Sequence, residues 1–207
     1  MDLTLILSFL GAAVLLTIMP GPDNLFVLAQ SITQNKKAGI ATSLGLCSGL
    51  LVHISAAAIG ISALLYQSSF AFTIVKLIGA GYLLFMAYEA LKERNNTSTL
   101  QEQPSRTYLA LYRKGIFMNI LNPKVSLFFL ALLPQFINHG AASPTLQMLL
   151  LGFIFIIQAL MIFFLISLYA GKLAKYITGN PTLSKRFNLT KAGLLAFIGI
   201  QIAFSKN

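Results

Sequence analysis

Residues 146–170 read LQMLLLGFIFIIQALMIFFLISLYA, a run of 25 residues without a single charge. At 1.5 Å per residue, an α-helix of about 20 residues crosses the roughly 30 Å hydrocarbon core of a bilayer. Working outward from this run, the same pattern recurs on both sides. Towards the N-terminus it appears at Gly115 to Ile137, broken at Asn122-Pro123-Lys124, and at Phe70 to Leu91, with Lys76 and Glu89 near its ends. Further back come Ala38 to about Tyr66, which carries His53, and Leu3 to about Ala29, broken at Pro20-Gly21-Pro22-Asp23. Towards the C-terminus a shorter run, Ala192 to Phe204, reaches full length only if Lys191 is included. The expectation is an all-α polytopic membrane protein with six transmembrane helices.

Composition points the same way. Hydrophobic residues make up 57% of the 207 and charged residues only 10%, against about 25% charged in an ordinary soluble domain. The mean hydropathy is +0.78. A soluble enzyme fold of this size could not cover so much apolar surface. Disorder is excluded too, because disordered chains lack the Leu, Ile, Val and Phe that dominate here. The single Cys47 rules out an internal disulfide, and one Cys with two His cannot form a thiolate zinc site. Neither a metal nor a cofactor is expected.

The net charge of +10 first suggests nucleic acid or another anionic partner. Its distribution says otherwise. With six spans, three loops share one side, and they hold Lys36 and Lys37; Lys92, Arg94, Arg106, Arg113 and Lys114; and Lys172, Lys175, Lys185, Arg186 and Lys191, twelve of the fifteen basic residues. The opposite side holds only Lys206, and Lys76 and Lys124 lie inside segments. Such a bias marks the cytoplasmic face, so both termini are expected outside the cytoplasm, and no nucleic-acid face is seen. Asp2 replaces the basic start of a signal peptide, so the first segment is expected to stay in the mature protein.

The two breaks draw the functional reading. Pro20 and Pro22, which lack donors, and Gly21, which tolerates unusual dihedrals, should interrupt the first segment, with helix restarting at Pro22 and Asp23 and Asn24 in its first turn. Asn119-Ile120-Leu121-Asn122-Pro123-Lys124 repeats the logic, Asn122 capping and Pro123 opening a new half-helix. Leu25-Phe26-Val27-Leu28-Ala29 follows the first break and Leu127-Phe128-Phe129-Leu130-Ala131 the second, four of five residues matching at an offset of 102. Three spans in each half would then form a 3+3 inverted repeat, whose substrate site is expected where the discontinuous helices meet. The whole of residues 1–207 reads as one transport domain, with halves of about 1–94 and 112–207 and a linker of about 95–111.

Pro20-Gly21-Pro22-Asp23-Asn24-Leu25-Phe26-Val27-Leu28, followed by Gly39, Gly45 and Gly49, resembles the opening signature of the LysE/RhtB family of amino-acid exporters. Asn119 to Lys124, followed by Phe128 and Pro134-Gln135-Phe136, resembles its second signature. The resemblance covers essentially the whole chain. It implies an exporter of small amino acids or their derivatives in a bacterial-type inner membrane, driven by exchange for protons. The alternative it leaves open is an exporter of inorganic cations with the same architecture.

Asp23, the only carboxylate deep in the membrane, reads either as a helix cap or as the group that exchanges a proton or pairs with a substrate ammonium. Lys124 reads as a counter-ion to Asp23, as a side chain reaching for the interface, or as a receptor for a substrate carboxylate. Asn24, Asn119 and Asn122 offer hydrogen bonds, to substrate or to helix ends. His53 is a packing residue or a proton relay, and Gln158 lines the pathway or bonds a neighbouring helix. Gly45 and Gly49 permit close helix packing, within the chain or in a homodimer. Tyr66, Tyr108, Tyr112 and Tyr176 fall where interface anchors belong. No nucleophile–base pair or paired acids suggest an enzyme, and a purely structural subunit would have no use for charged, broken helices. One membrane carboxylate without a Cys/His cluster argues against a divalent-ion site.

Overall fold

The computed structural model describes residues 2–19, 21–61, 69–92, 106–138 and 143–178, with a few further positions between 189 and 204. Every regular element among them is helical. We label them α1 (Leu3–Ile18), α2 (Pro22–Thr33), α3 (Lys36–Ala56), α4 (Ser69–Lys92), α5 (Tyr108–Ile120), α6 (Pro123–Leu127) and α7 (Pro144–Thr178). Lys36–Gly60 and Pro144–Lys172 are each long and apolar enough to cross a membrane. The pairs α1–α2, bent by 55°, and α5–α6 with its continuation to Phe136, bent by 49°, bring the number of candidate spans to four if each pair is one. Pro20, the side chains of Lys76 and Glu89, residues 93–105 with most of the expected linker, and Tyr66 and the Tyr176 side chain lie outside the described residues, as do six of the thirteen positions of Ala192–Phe204.

Both breaks fall where the prolines put them. Pro22 opens α2 behind Gly21, with Asp23 in its first turn. Asn122 caps α6, its side-chain oxygen accepting from the Lys124 backbone N–H at 3.1 Å, and Pro123 opens it. Three details depart from the sequence reading. Gly21 is extended, at φ −153° and ψ −179°, a conformation open to any residue, so no unusual dihedral explains this glycine. The fourth segment begins at Tyr108 rather than Gly115, because Thr107 caps it with a side-chain bond to the Ala110 N–H. Arg113 and Lys114 therefore ride on a helix, and Lys114 Nζ stands 4.6 Å from the centre of the Phe26 ring. Lastly, α6 is regular for only five residues before the chain turns through π-type (Phe128–Leu132) and 3₁₀ (Leu133–Phe136) geometry. The matched pentapeptides thus lie in different local structure, Leu25–Ala29 in a regular α-helix and Leu127–Ala131 largely in the π-type turn.

Burial follows the solvent that the sequence implies. Helix α7 exposes Phe153, Met161 and Leu165 and buries Met148, Leu151, Phe155 and Phe163, so both of its faces are apolar. Against lipid tails, burying a leucine gains little hydrophobic energy, and helices associate through close packing and interhelical hydrogen bonds. The structure supplies both. Tyr112, expected as an interface anchor, instead meets the Ser48 hydroxyl at 3.0 Å and ties α5 to α3. Gly45 and Gly115 bring the backbones of the same two helices into direct contact, so the small-residue face of α3 serves packing within the chain. Beneath the breaks lies an aromatic cluster in which the Phe155 ring sits 5.0 Å from Phe128 and 5.1 Å from Phe129, with Phe9 against Phe128 at 5.9 Å.

Candidate functional site

The broken ends of the two bent pairs come together. Where α1 stops, its last carbonyls lack intrahelical partners, and a membrane offers no water to satisfy them. Two side chains reach them. Asn24 Nδ2 donates to Thr17 O at 2.7 Å, with longer contacts to Ile18 O and Met19 O. Lys124 Nζ, from the second break, donates to Leu16 O at 2.7 Å and Met19 O at 3.1 Å. A cation at a helix C-terminus is also favoured by the helix dipole. Lys124 is thus a clasp between the two breaks, a role absent from its three sequence readings. Replacing it with Met should lower stability by about 1–3 kcal/mol, the usual penalty for stripping buried acceptors of their donor. That loss should appear as a fall of several degrees in the melting temperature in detergent, while Lys172→Met, at an exposed position, leaves it unchanged.

A second chain of bonds runs from α3 to α2. His53 is buried and its Nε2 lies 3.0 Å from Asn119 O. A carbonyl only accepts, so Nε2 carries the proton in this bond. The same carbonyl accepts from the Asn122 N–H at 2.9 Å, and Asn119 Nδ2 reaches Asp23 Oδ2 at 3.4 Å. His53 also stacks on Phe129, 6.1 Å between ring centres. Gly49 makes room for this chain, since a Cβ there would come within 2.8 Å of Asn119 Cβ.

Asp23, Asn24, Gly21, Asn119, Asn122 and Lys124 all line one small cavity, together with apolar side chains from α1, α3, α6 and α7. Its volume is about 30 Å³, close to one water's share of liquid volume. Three buried acceptors in and beside it, Asp23 Oδ1, Asn119 Oδ1 and Gln158 Oε1, meet no hydrogen-bond donor among the described residues. All three are oxygens, so the site asks for N–H or O–H groups. Gln158 spends its amide on Thr17 Oγ1 at 2.9 Å, and Thr17 donates in turn to Ala13 O at 2.8 Å. Thr17 escaped the sequence reading because a lone threonine in an apolar run carries no signal until its neighbour is known. Among the described residues no group of His, Cys, Asp and Glu could hold a metal ion.

The family model for the LysE type translocator matches residues 14–206, a stretch that takes in both breaks. The chain belongs to the LysE type translocator family. Its members are transporters rather than enzymes. This translocator is 30% identical over 206 residues to an uncharacterized membrane protein of Vibrio cholerae serotype O1, covering 100% of both chains. It is 29% identical to an uncharacterized membrane protein of Bacillus subtilis over 97% of its own length and 99% of the other. It is 30% identical to the homoserine/homoserine lactone efflux protein of Salmonella typhimurium, over 97% of its own length and 96% of the other. No solved structure matches the chain.

Proposed function

We propose that this protein exports small amino acids or their derivatives from the cytoplasm in exchange for protons, across a bacterial-type inner membrane. Six spans in a 3+3 inverted repeat, with both termini outside, is the architecture that accompanies this reading. The twelve-to-one bias of basic residues between the two sides supports the orientation. The efflux protein of Salmonella typhimurium, alike along nearly the whole chain, makes homoserine a fitting first substrate to test.

One observation carries the proposal: a buried carboxylate, Asp23, has an oxygen without a donor in a cavity that Lys124 also lines. An ammonium group brings three donors to that acceptor, and a proton on Asp23 answers the same need. The Lys124 ammonium and the start of α2 offer the complement to a carboxylate. A zwitterion therefore finds both of its charges answered across the two breaks. A cavity of about 30 Å³ is far below the several hundred of ordinary ligand sites, so the breaks must part for a substrate to enter. Discontinuous helices rocking about a central site provide that motion.

The test is efflux of radiolabelled homoserine from preloaded cells expressing the protein. Release several-fold faster than from cells without it, and abolished by a protonophore, is the expected result. Release that ignores the protonophore would remove proton exchange from the reading, and no added release would remove amino-acid export of this kind.

A further inference from the structure

The cavity is divided by chemistry. The two breaks contribute its polar groups, whereas α7 contributes Phe155, Ala159 and Phe163. Spaced four residues apart, these three fall on one face of an unbroken 35-residue helix. All are buried, Ala159 to 1% exposure. Phe155 packs on Phe128 and Phe129. Gln158, the polar neighbour, has its amide turned to Thr17. The α7 residues that line the cavity thus offer carbon alone, the small Ala159 standing between two rings, while Gln158 Oε1 beside them meets no donor among the described residues.

We propose, resting on the amino-acid export reading, that Ala159 sets the length of the substrate side chain the protein accepts, and that the substrate class is α-amino acids with short, uncharged side chains. With the zwitterionic head held at the breaks, the side chain projects onto the α7 stripe. There it meets the Ala159 methyl between the two rings. A lysine or glutamate side chain would bury its charge against Phe155 and Phe163 without a counter-charge, which is costly in an apolar setting. One methylene more or less in such a pocket changes selectivity by about tenfold or more.

The experiment uses the full chain in proteoliposomes preloaded with radiolabelled alanine, homoserine, leucine or lysine. Wild type should release alanine and homoserine and retain lysine. Ala159→Val should cut the homoserine-to-alanine ratio about tenfold, and Ala159→Gly should raise the leucine-to-alanine ratio about fivefold. Size-exclusion elution in detergent identifies which variants fold, and either folded variant alone decides the matter. Ratios within twofold of wild type in a folded variant, or lysine released as fast as alanine, overturn the assignment. If wild type releases none of the four, the export reading fails and takes this inference with it. If wild type is active and Asp23→Asn is not, yet the ratios stay put, only the role of Ala159 is lost.

Discussion

On the proposed export reading, Asp23→Asn should reduce proton-driven homoserine efflux about a hundredfold, to the background of cells lacking the protein. The substitution keeps the shape of the side chain, and Asn119 Nδ2, now 3.4 Å from Asp23 Oδ2, still finds an oxygen to donate to. Fold and membrane abundance should therefore hold. What disappears is the negative charge and the capacity to take up a proton. Removing one partner of a buried charge interaction costs about 2–5 kcal/mol, and a hundredfold corresponds to about 2.8 kcal/mol. Two assays separate the roles. If Asp23 couples transport to protons, the variant loses efflux driven by a pH gradient but still exchanges labelled for unlabelled homoserine. If Asp23 binds the substrate ammonium, both activities go. Retention of both at matched abundance leaves Asp23 a structural charge only, favoured by the dipole in the first turn of α2 and bonded to Asn119, since the N-cap position is Gly21 and no side chain caps the helix.

How far this site is legible without coordinates depends on the residue. Proline, asparagine and aspartate at a helix start act through the local backbone, so the restarts at Pro22 and Pro123 and the Asn122 cap can be read from spacing. Charge inside an apolar run is conspicuous by its cost, which singles out Asp23 and Lys124. The partners of those charges are another matter. Lys124 bonds carbonyls 105 and 108 residues away, and backbone oxygens are identical in every residue, so no pattern marks Leu16 or Met19. The Gln158–Thr17 pair spans 141 residues for the same reason. Regularity is also hidden: Leu25–Ala29 and Leu127–Ala131 match in four of five positions, yet only the first stays α-helical. The difference arises from what surrounds Phe128 and Phe129, which pack on Phe155 of α7.

The second large effect concerns stability. Gly45→Ala should lower the melting temperature in detergent by roughly 5–10 °C, for a loss of about 2–3 kcal/mol. A Cβ at Gly45 would run into the Tyr112 carbonyl, and one at Gly115 would lie 2.6 Å from Thr42 O and 2.9 Å from Leu46 N. These obstacles are backbone, which cannot turn aside as a side chain does, so α3 and α5 must separate. In a bilayer the separation is not offset by hydrophobic gain elsewhere, because lipid fills the gap at no benefit to the protein. The same glycines place Ser48 against Tyr112 and Gly49 against Asn119, so the shift travels to the site. Gly49→Ala, which crowds Asn119 directly, should therefore lose efflux even at a temperature where it stays folded. Gly11→Ala is the matched control: nothing lies within 4 Å of its added Cβ, and alanine is favoured over glycine in a helix by roughly 0.5–1 kcal/mol. Its melting temperature should equal or exceed wild type. If Gly45→Ala melts with Gly11→Ala, the close contact between α3 and α5 does not hold the fold together.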